Sequence, residues 1–403
     1  MLTYSQALAQ ILKATPHLKP TTAKLGKAQG LILAQPIQAR RDLPRFDNAA
    51  VDGYAINFAK RNLSIEHLKT LRVIGRSEAG NLFRGVVPRG QAVRIFTGAM
   101  VPRGANTVIM QEQVQRHGSW ITLLSAPEEG RHIRRQGEDL RRGKQVLAQG
   151  TLLRAQELAL LAALGIPRIR VYPKPTVAIL ATGDELRPPG ARLKSGEIYE
   201  SNGVLLDALL REAGACPVRL GIARDVVSSL IRKIRKGLGC DVLLICGGAS
   251  VGEKDFVRRA AGACGVTEIF WKVNIKPGMP LFFGRHNQTL VFGLPGNPVS
   301  VFVTFEEFVK PALSRLLGRP WNDGYNTPAT LARDLKVSTT RHTHFIRVRC
   351  VQENSRILAV PLDGQGSHQL HSLVQAGGWI RMMSDQSPWP AGTAVLVKRK
   401  GLG

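Results

Sequence analysis

The chain has 403 residues and a formal net charge of +27, from 56 lysines and arginines against 29 aspartates and glutamates. This length predicts two to four domains with sizeable cores, and the 44% of apolar residues is typical of a globular protein. It lacks both a basic start followed by an apolar run and any apolar segment of membrane-spanning length. We therefore expect a globular cytoplasmic protein that has no contact with a membrane.

Five cysteines are scattered along the chain, and none forms a CxxC pair. This odd count argues against a disulfide framework and against structural zinc. The positive charge is spread along the chain, without a basic tail or a zinc-finger spacing. We interpret it as a solvated surface that attracts anionic small molecules. A basic scaffold that binds nucleic acid or a partner protein remains the alternative from a different class.

The first 172 residues predict a helical unit that is interrupted by β structure. Apolar residues recur at helical spacing in Ser5–Lys13, Thr21–Ala34 and Gln156–Leu164. Between them, β-branched and alternating segments separated by Gly and Pro predict strands. We therefore predict an inserted β-rich domain at residues 41–146, between two parts of a helical linker domain at residues 1–40 and 147–172.

Strands alternate with helices in residues 173–320, which predicts a doubly wound parallel α/β domain. Its last predicted strands include Phe270–Ile275, and Asn297 is a suitable N-cap for a final helix at Val299–Leu316. Residues 321–403 return to β structure and predict a C-terminal β-barrel domain. In this domain His342 and His344 should share one side of a strand, where we expect solvated side chains rather than metal ligands.

Polar or glycine-rich loops follow four of the predicted α/β strands. These are ATGDEL, the segment at Asp225, GGASVGEKD and GLPGNP. Ligands of doubly wound sheets bind where strands end, and glycines allow backbone N–H groups to approach an anion. A carboxylate such as Asp255 beside a bound phosphate requires an intervening cation, for which Mg²⁺ is the usual choice.

The candidate site residues of this chain include both carboxylates and basic side chains. A metal that bridges carboxylates to phosphate oxygens, with Lys and Arg neutralising the remaining charge, explains both signs. No Ser-His-Asp or Cys-His arrangement has a recognisable spacing, so covalent catalysis has no support. The pattern indicates phosphoryl, nucleotidyl or other oxyanion chemistry.

Eight segments in order resemble the molybdopterin molybdenumtransferase family, and the chain is similar to the C-terminal enzymatic region of gephyrin. The segments are PRFDNAAVDGYA, RIFTGAMVPRGANTVIMQE, RRQGEDL, ILATGDEL, IYESNG, GGASVGEKDFV, KVNIKPGMP and GLPGNPVS. The resemblance implies insertion of molybdenum from molybdate into adenylylated molybdopterin with release of AMP. It also implies Mg²⁺ and an elongated homodimer, in which Asp52 of one chain meets the α/β domain of the other.

The resemblance assigns roles to residues by motif. The catalytic candidates are Asp52, Asp139, Glu185, Asp225 and Asp255, of which the last three are the candidate metal ligands. The substrate-binding candidates are Thr97, Gly247, Gly248, Ser250, Gly252, Lys272, Lys276, Pro295, Gly296, Asn297 and Arg347. Met279 stands where the family usually has another lysine.

The expected partners of such an enzyme are an upstream adenylyltransferase and recipient apoenzymes. A molybdopterin adenylyltransferase of the same pathway is the alternative enzyme reading. The long N-terminal and C-terminal regions argue against that alternative.

Overall fold

The computed structural model describes residues 1–58, 69–248, 256–337, 342–383 and 387–401. No helix in this described part of the chain is long and apolar enough to cross a membrane.

The chain begins with one helix and continues in short strands. These elements are α1 (Tyr4–Ala14), β1 (Thr21–Lys24), a 3₁₀ turn (Leu25–Lys27), β2 (Ile32–Leu33) and β3 (Ile37–Gln38). The predicted helix Thr21–Ala34 is therefore wrong. Residues 21–24 pair with residues 168–171 as antiparallel strands, and Gly30 has φ 75°, which a right-handed helix cannot accommodate.

The inserted domain is a curled sheet. Its elements are β4 (Asn48–Ala49), β5 (Gly53–Ile56), β6 (Thr70–Ser77), β7 (Gln91–Ile95), β8 (Thr107–Met110), a 3₁₀ turn (Gln111–Gln113), β9 (Val114–His117), β10 (Trp120–Leu123) and β11 (Ile133–Arg134). Six strands form one sheet in the order β8-β5-β7-β6-β10-β9, and β11 pairs with β4. Alternate residues of these strands, among them Tyr54, Ile56 and Ile109, form an apolar core of their own.

The chain then returns to the place where it left the first unit. The returning elements are β12 (Gln145–Leu147), α2 (Ala155–Ala163) and β13 (Arg168–Tyr172). Strand β12 pairs with β3, and β13 lies between β1 and β2. Strands from both sides of the insertion therefore complete one small unit, which contains the helix α2 and more β structure than we predicted.

The α/β domain contains the largest sheet core. Its elements are β14 (Thr176–Thr182), β15 (Leu186–Arg187), β16 (Ile198–Tyr199), α3 (Asn202–Glu212), β17 (Cys216–Ala223), α4 (Val227–Gly237), β18 (Val242–Cys246), α5 (Phe256–Ala263), β19 (Thr267–Trp271), β20 (Ile275–Lys276), β21 (Phe282–His286), β22 (Thr289–Leu294), α6 (Pro298–Thr304), a π-helical turn (Phe305–Val309) and α7 (Lys310–Leu316). The six-stranded sheet has the order β17-β14-β18-β22-β21-β19. The pairings among its first four strands are parallel, whereas β21 pairs antiparallel with both β22 and β19, so the doubly wound fold is confirmed although the sheet is mixed.

The order of the strands creates a switch point. From β14 the chain crosses to β17 on one side and then to β18 on the other side of β14. Crossovers that leave in opposite directions open a crevice at the carboxyl ends of the two central strands, and ligands of such sheets bind there. The predicted strand Phe270–Ile275 is divided into β19 and β20, because Lys272 takes φ 71° between them.

The C-terminal domain is a closed barrel, as we predicted. Its elements are β23 (Tyr325–Leu331), β24 (Thr343–Glu353), β25 (Arg356–Pro361), α8 (Leu370–Gln375), β26 (Gly378–Met383) and β27 (Ala394–Arg399). The order β24-β25-β23-β27-β26 closes through a pairing of β24 with β26. Strand β20 of the α/β domain adds to β24, so one sheet spans the two domains.

Glu307 joins three parts of the chain in the interior. This carboxylate is fully buried in the π-helical turn and accepts hydrogen bonds from Tyr4 of α1 at 2.9 Å and Tyr325 of β23 at 3.2 Å. Lys398 of β27 lies 3.0 Å away and Trp379 of β26 donates at 3.4 Å. Burial and the neighbouring Glu307 charge raise the pKa of Tyr4 and of Tyr325, so both hydroxyls keep their protons. The network fixes the barrel and α1 against the α/β domain.

We expect Glu307→Ala to lower the free energy of unfolding by about 3–5 kcal/mol, because Lys398 is left as a buried charge with one fewer partner. The control is Glu128→Ala, which removes an exposed ion pair with Arg131 and should cost less than about 1 kcal/mol. Urea unfolding followed by circular dichroism measures both. Equal losses for the two variants would contradict the role of Glu307.

Candidate functional site

The carboxyl ends of β14 and β17 hold a group of polar side chains. The Thr182 hydroxyl donates to Asp225 Oδ1 at 2.6 Å, and the Asp225 backbone N–H donates to Asp184 Oδ1 at 3.4 Å. Thr182 is buried at the end of β14, so it fixes the Asp225 carboxylate from below. We predicted Asp225 from the sequence but missed Thr182, whose position directly before GDEL was the available signal.

Glu185 lies at the same rim. A Cβ atom on Gly183 would lie 2.7 Å from a Glu185 carboxylate oxygen, so the absence of a side chain at Gly183 makes room for this carboxylate. The Glu185 side chain is otherwise exposed. The structure therefore places Glu185 and Asp225, two of the predicted metal ligands, on loops at the ends of adjacent strands.

The glycine turn after β18 completes the crevice. Gly247 and Gly248 have φ 92° and 62°. A Cβ atom on Gly247 would lie 2.4 Å from the Thr182 carbonyl oxygen, a distance that excludes every other residue. Ser250, Gly252 and Asp255, which we also predicted as site residues, lie outside the described residues.

The donor set of this rim consists of oxygen atoms. Carboxylates of Glu185 and Asp225 and the hydroxyl of Thr182 are hard ligands of the kind that Mg²⁺ binds. Among the described residues no three acidic, histidine or cysteine side chains form a metal-binding group. Glu185 and Asp225 alone do not make up such a group, and Asp255 as the third ligand stays a prediction.

The GLPGNP turn after β22 lies beside this crevice. A Cβ atom added to Gly296 would lie 3.8 Å from the Gly247 Cα. The Asn202 side chain donates to the Gly296 carbonyl oxygen at 2.7 Å. Asn297 occupies the N-cap position of α6, as we predicted, but its side chain does not cap the helix. It donates to Ser367 at 2.9 Å instead and so connects the turn to the C-terminal domain.

A cleft of about 750 Å³ opens on the other side of this turn, between the α/β domain and the barrel. Pro295 and Asn297 line it together with Lys276 of β20. His344 also lines it, with only 3% of its surface exposed. Our expectation of a solvated His344 was wrong, because β20 adds to β24 and covers this strand.

Arg347 is buried below one wall of the cleft. Its exposed fraction is 2%, and its Nη2 group donates to the carbonyl oxygens of Gly364 and Gly366 at 2.8 Å and 3.2 Å. Burial lowers the pKa of Arg347 to about 10, so the side chain stays cationic at neutral pH. These contacts position the loop that carries Ser367. A direct substrate contact by Arg347 stays a prediction.

Lys272 lies apart from the cleft. Its ammonium group lies 3.9 Å from the centroid of the Trp271 ring, a cation–π contact. In the described part of the chain the cleft lining includes Lys276 but does not include Lys272. The two lysines that we predicted as anion ligands are therefore separated by the break between β19 and β20.

Asp52 and Thr97 form a pair on the inserted domain. The Thr97 hydroxyl and backbone N–H both donate to Asp52 Oδ1, at 2.6 Å and 2.8 Å. These hydrogen bonds, the hydroxyl first, and the nearby Arg94 lower the pKa of Asp52, which keeps this exposed carboxylate ionised. Asp139 is exposed on the same domain, and its backbone N–H donates to the Leu43 carbonyl at 3.1 Å.

Known families match almost the whole chain. Residues 2–165 match the MoeA N-terminal region (domain I and II), residues 178–315 the "Probable molybdopterin binding domain", and residues 328–399 the MoeA C-terminal region (domain IV). The molybdopterin molybdenumtransferase of Haemophilus influenzae is 36% identical over 402 residues, which are 99% of this chain and 98% of that protein. The chain belongs to the molybdopterin molybdenumtransferase family.

Further relatives of this family agree with the assignment. The molybdopterin molybdenumtransferase 2 of Mycobacterium tuberculosis is 33% identical over 98% of both chains. The crystal structure of the molybdopterin biosynthesis moeA protein from Pyrococcus horikoshii superposes with a TM-score of 0.82 and 32% identity, over 99% of this chain and 100% of that one. The domain architecture described above is thus that of the molybdopterin molybdenumtransferase family.

We expect Thr97→Val to raise the pKa of Asp52 toward its ordinary value, because the variant loses the hydroxyl that donates to the ionised carboxylate. Thr97→Ser retains a hydroxyl and should leave this pKa low. Carboxyl-carbon NMR titration of Asp52 in the two variants measures the difference. A Val variant with the pKa of the unmodified protein would show that the hydroxyl has no such effect.

We expect Gly247→Ala to destabilise the protein by at least about 1 kcal/mol more than Gly196→Ala. Both glycines have positive φ, at 92° and 80°, so both variants carry backbone strain. Only at Gly247 does the new Cβ also overlap a backbone oxygen, whereas Gly196 has open space. Chemical denaturation measures the stability of the two variants. Equal losses of stability would show that the close contact at Gly247 adds no cost.

Proposed function

We propose that this enzyme inserts molybdenum from molybdate into adenylylated molybdopterin and releases AMP, which yields the molybdenum cofactor. One observation carries the proposal. The rim of carboxylates and glycines at the switch point lies next to the cleft that contains Lys276, and the GLPGNP turn lies between them. This pairing supports a substrate with a phosphoanhydride and an oxyanion held next to each other.

The glycine turn would bind the phosphates of the substrate. Gly247 and Gly248 lack side chains at the carboxyl end of β18, so the backbone of this turn can approach an anion. Ser250 and Gly252 would continue this contact. On the adjacent turn, Gly296 lies against Gly247, and Pro295 and Asn297 face the cleft.

The carboxylates of the rim suit a magnesium ion. Glu185, Asp225 and Asp255 would hold it, and the hydrogen bond from Thr182 would keep Asp225 in place. When bound, Mg²⁺ neutralises phosphate charge and thereby eases attack on the phosphoanhydride. Because the donor set of the described rim contains only oxygen, it favours Mg²⁺ over softer metals.

The cationic groups would bind the second substrate. Lys276 lines the cleft and would contact molybdate, a dianion that requires positive partners. Lys272 would contact anionic groups of the nucleotide substrate from its position on Trp271. Arg347 would hold the loop of Gly364 and Gly366 in position at the cleft, because its side chain donates to their carbonyl oxygens.

A homodimer would complete the site. Among the described residues, the Asp52 carboxylate accepts its hydrogen bonds from Thr97 alone, and neither side chain has a hydrogen-bond partner in the α/β domain. In the dimer, Asp52, Thr97 and Asp139 of one subunit would face the rim of the other. The ionised Asp52 would then add a fixed negative charge near the magnesium site.

The extent of the similarity supports this reading over an adenylyltransferase of the same pathway. The Haemophilus influenzae relative matches through the N-terminal and C-terminal domains as well as the α/β domain. A cytoplasmic location, delivery of substrate by the upstream adenylyltransferase and transfer of the product to apoenzymes complete the proposal.

We expect Asp225→Asn to reduce molybdate-dependent AMP release by about 100-fold or more, because a ligand charge at the rim is lost. Asp255→Asn should behave in the same way. The purified protein is given adenylylated molybdopterin, Mg²⁺ and molybdate, and AMP is measured by chromatography. The control is Asp207→Asn, which changes a partly exposed ion pair with Arg211 on α3 and should retain activity.

Absence of molybdate-dependent AMP release from the unmodified protein, with the substrate shown to be intact, would overturn the proposed function. Salt-sensitive nucleic-acid binding that survives Asp255→Asn would then favour the scaffold reading.

A further inference from the structure

An arginine and two aromatic rings lie beside the Asp52–Thr97 pair of the inserted domain. The guanidinium carbon of Arg94 is 5.0 Å from the centroid of the Tyr54 ring and 4.8 Å from the centroid of the Phe96 ring. Tyr54 follows Asp52 by two residues in the chain, and Phe96 directly precedes Thr97. Arg94 therefore connects the segment that carries Asp52 to the segment that carries Thr97.

The strand pairing determines where the Arg94 side chain lies. Tyr54 of β5 and Arg94 of β7 are register partners in an antiparallel pair, so their side chains are neighbours on one face of the sheet. The Tyr54 ring is 4% exposed and belongs to the apolar core of the inserted domain. The guanidinium group thus makes its cation–π contact with a ring that is itself fixed by packing.

The guanidinium group of Arg94 also binds the backbone next to Asp52. Its Nη1 group donates to the Gly53 carbonyl oxygen at 3.1 Å, and its Nη2 group donates to the side-chain oxygen of Gln111. The Gln111 backbone N–H donates to the Asp52 carbonyl oxygen at 3.1 Å. Arg94 and Gln111, which contact each other, therefore bind the carbonyl groups of two consecutive residues where β5 begins.

Gly53 shows how closely this backbone is packed. A Cβ atom on Gly53 would lie 1.8 Å from the Ile109 carbonyl oxygen of β8, so no other residue fits at this position. With β8 on one side and Arg94 on its Gly53 carbonyl, the backbone after Asp52 has little freedom to move. The Asp52 carboxylate is the exposed end of a fixed segment.

The contacts of Arg94 differ from those of an arginine in a surface ion pair. Within the described ranges no carboxylate forms an ion pair with Arg94, whose contacts are two rings, a carbonyl group and an amide. The hydrogen bonds from Thr97 and, after them, the positive charge of Arg94 lower the pKa of Asp52. The charge of Arg94 therefore acts on the same carboxylate whose backbone it binds.

We propose that Arg94 is a positioning residue for the molybdenum insertion, which holds the Asp52–Thr97 pair in place by joining the strand that follows Asp52 to the strand that precedes Thr97. The planar guanidinium group suits this task, because it stacks on two rings and donates along two directions at once. The part that Asp52 takes in the reaction rests on the proposed function.

Two variants of Arg94 test the effect on the carboxylate. Arg94→Met replaces the guanidinium group by a side chain of similar length without charge or N–H donors, so the pKa of Asp52 should rise toward its ordinary value. Arg94→Lys keeps a cation that can lie on the Tyr54 ring and should retain part of the lowering. Carboxyl-carbon NMR titration of Asp52 in the full chain measures the difference, and circular dichroism confirms that each variant is folded.

The matched control is Arg72→Met on β6, which removes one positive charge from the same sheet. Arg72 is exposed, and its register partners are Trp120 and Gln91, of which Gln91 lies at the opposite end of β7 from Arg94. The pKa of Asp52 should therefore stay low in this variant.

A double variant tests whether Arg94 acts through Asp52 in the reaction. We expect Arg94→Met to lower kcat for molybdate-dependent AMP release by about tenfold or more, with a smaller change in KM, because a misplaced group costs rate more than binding. Asp52→Asn should lower the same rate. Because the two residues act as one unit, adding Arg94→Met to Asp52→Asn should cause little further loss, and Arg94→Lys should restore part of the rate.

Either of two results would overturn the positioning role. One is an unchanged pKa of Asp52 in a folded Arg94→Met variant, and the other is a double variant whose loss of rate is the full product of the two single losses. Failure of the proposed function is seen separately, as absence of AMP release from the unmodified protein. The Asp52 titration does not depend on that activity and decides the effect of Arg94 in either case.

Discussion

A single buried carboxylate determines how the domains meet. Glu307 receives hydrogen bonds or an ion pair from α1, β23, β26 and β27, which belong to the N-terminal segment and the barrel. Lys398 also contacts Glu306 at 3.2 Å. A buried charge with this many donors is stable only in one arrangement, because loss of any partner leaves polar groups unpaired in low dielectric. The position of the barrel, and with it the cleft, depends on this network.

The local backbone explains why Glu306 and Glu307 can both point inward. Pro311 lacks an N–H group, so an α-helix through it would leave the carbonyl of Glu307 without its partner. The chain instead forms the π-helical turn Phe305–Val309 between α6 and α7. A π turn rotates its side chains relative to a regular helix, and such turns are frequent at functional positions. The predicted helix Val299–Leu316 is thus present, with a π-helical turn inside it for which Pro311 was the only signal in the sequence.

Much of the fold and part of the site could be predicted from the sequence. The alternation of strands and helices predicted the doubly wound domain, because that pattern is local. The glycine turn and the carboxylates at Glu185 and Asp225 followed from the rule that ligands bind where such strands end. The helix expected at Thr21–Ala34 failed because pairing with β13 overrides a helical spacing of leucines. The burial of His344 depends on the addition of β20 to β24, a pairing between distant segments that no local pattern records.

The GLPGNP turn separates two kinds of electrostatic environment. On one side, Gly296 lies against Gly247 at the carboxylate rim, and on the other, Asn297 faces the cationic cleft and binds Ser367 of the C-terminal domain. Carboxylates repel oxyanions and lysines attract them, so the turn separates two surfaces that favour different ligands. In the proposed function, one would bind the metal and phosphates and the other the oxyanion. In the proposed reaction this separation allows cleavage of the anhydride and capture of molybdate to occur next to each other without competition for the same charges. The side chain of Asn297 serves this junction rather than the end of its own helix, and that is why its capping role could not be predicted correctly from sequence.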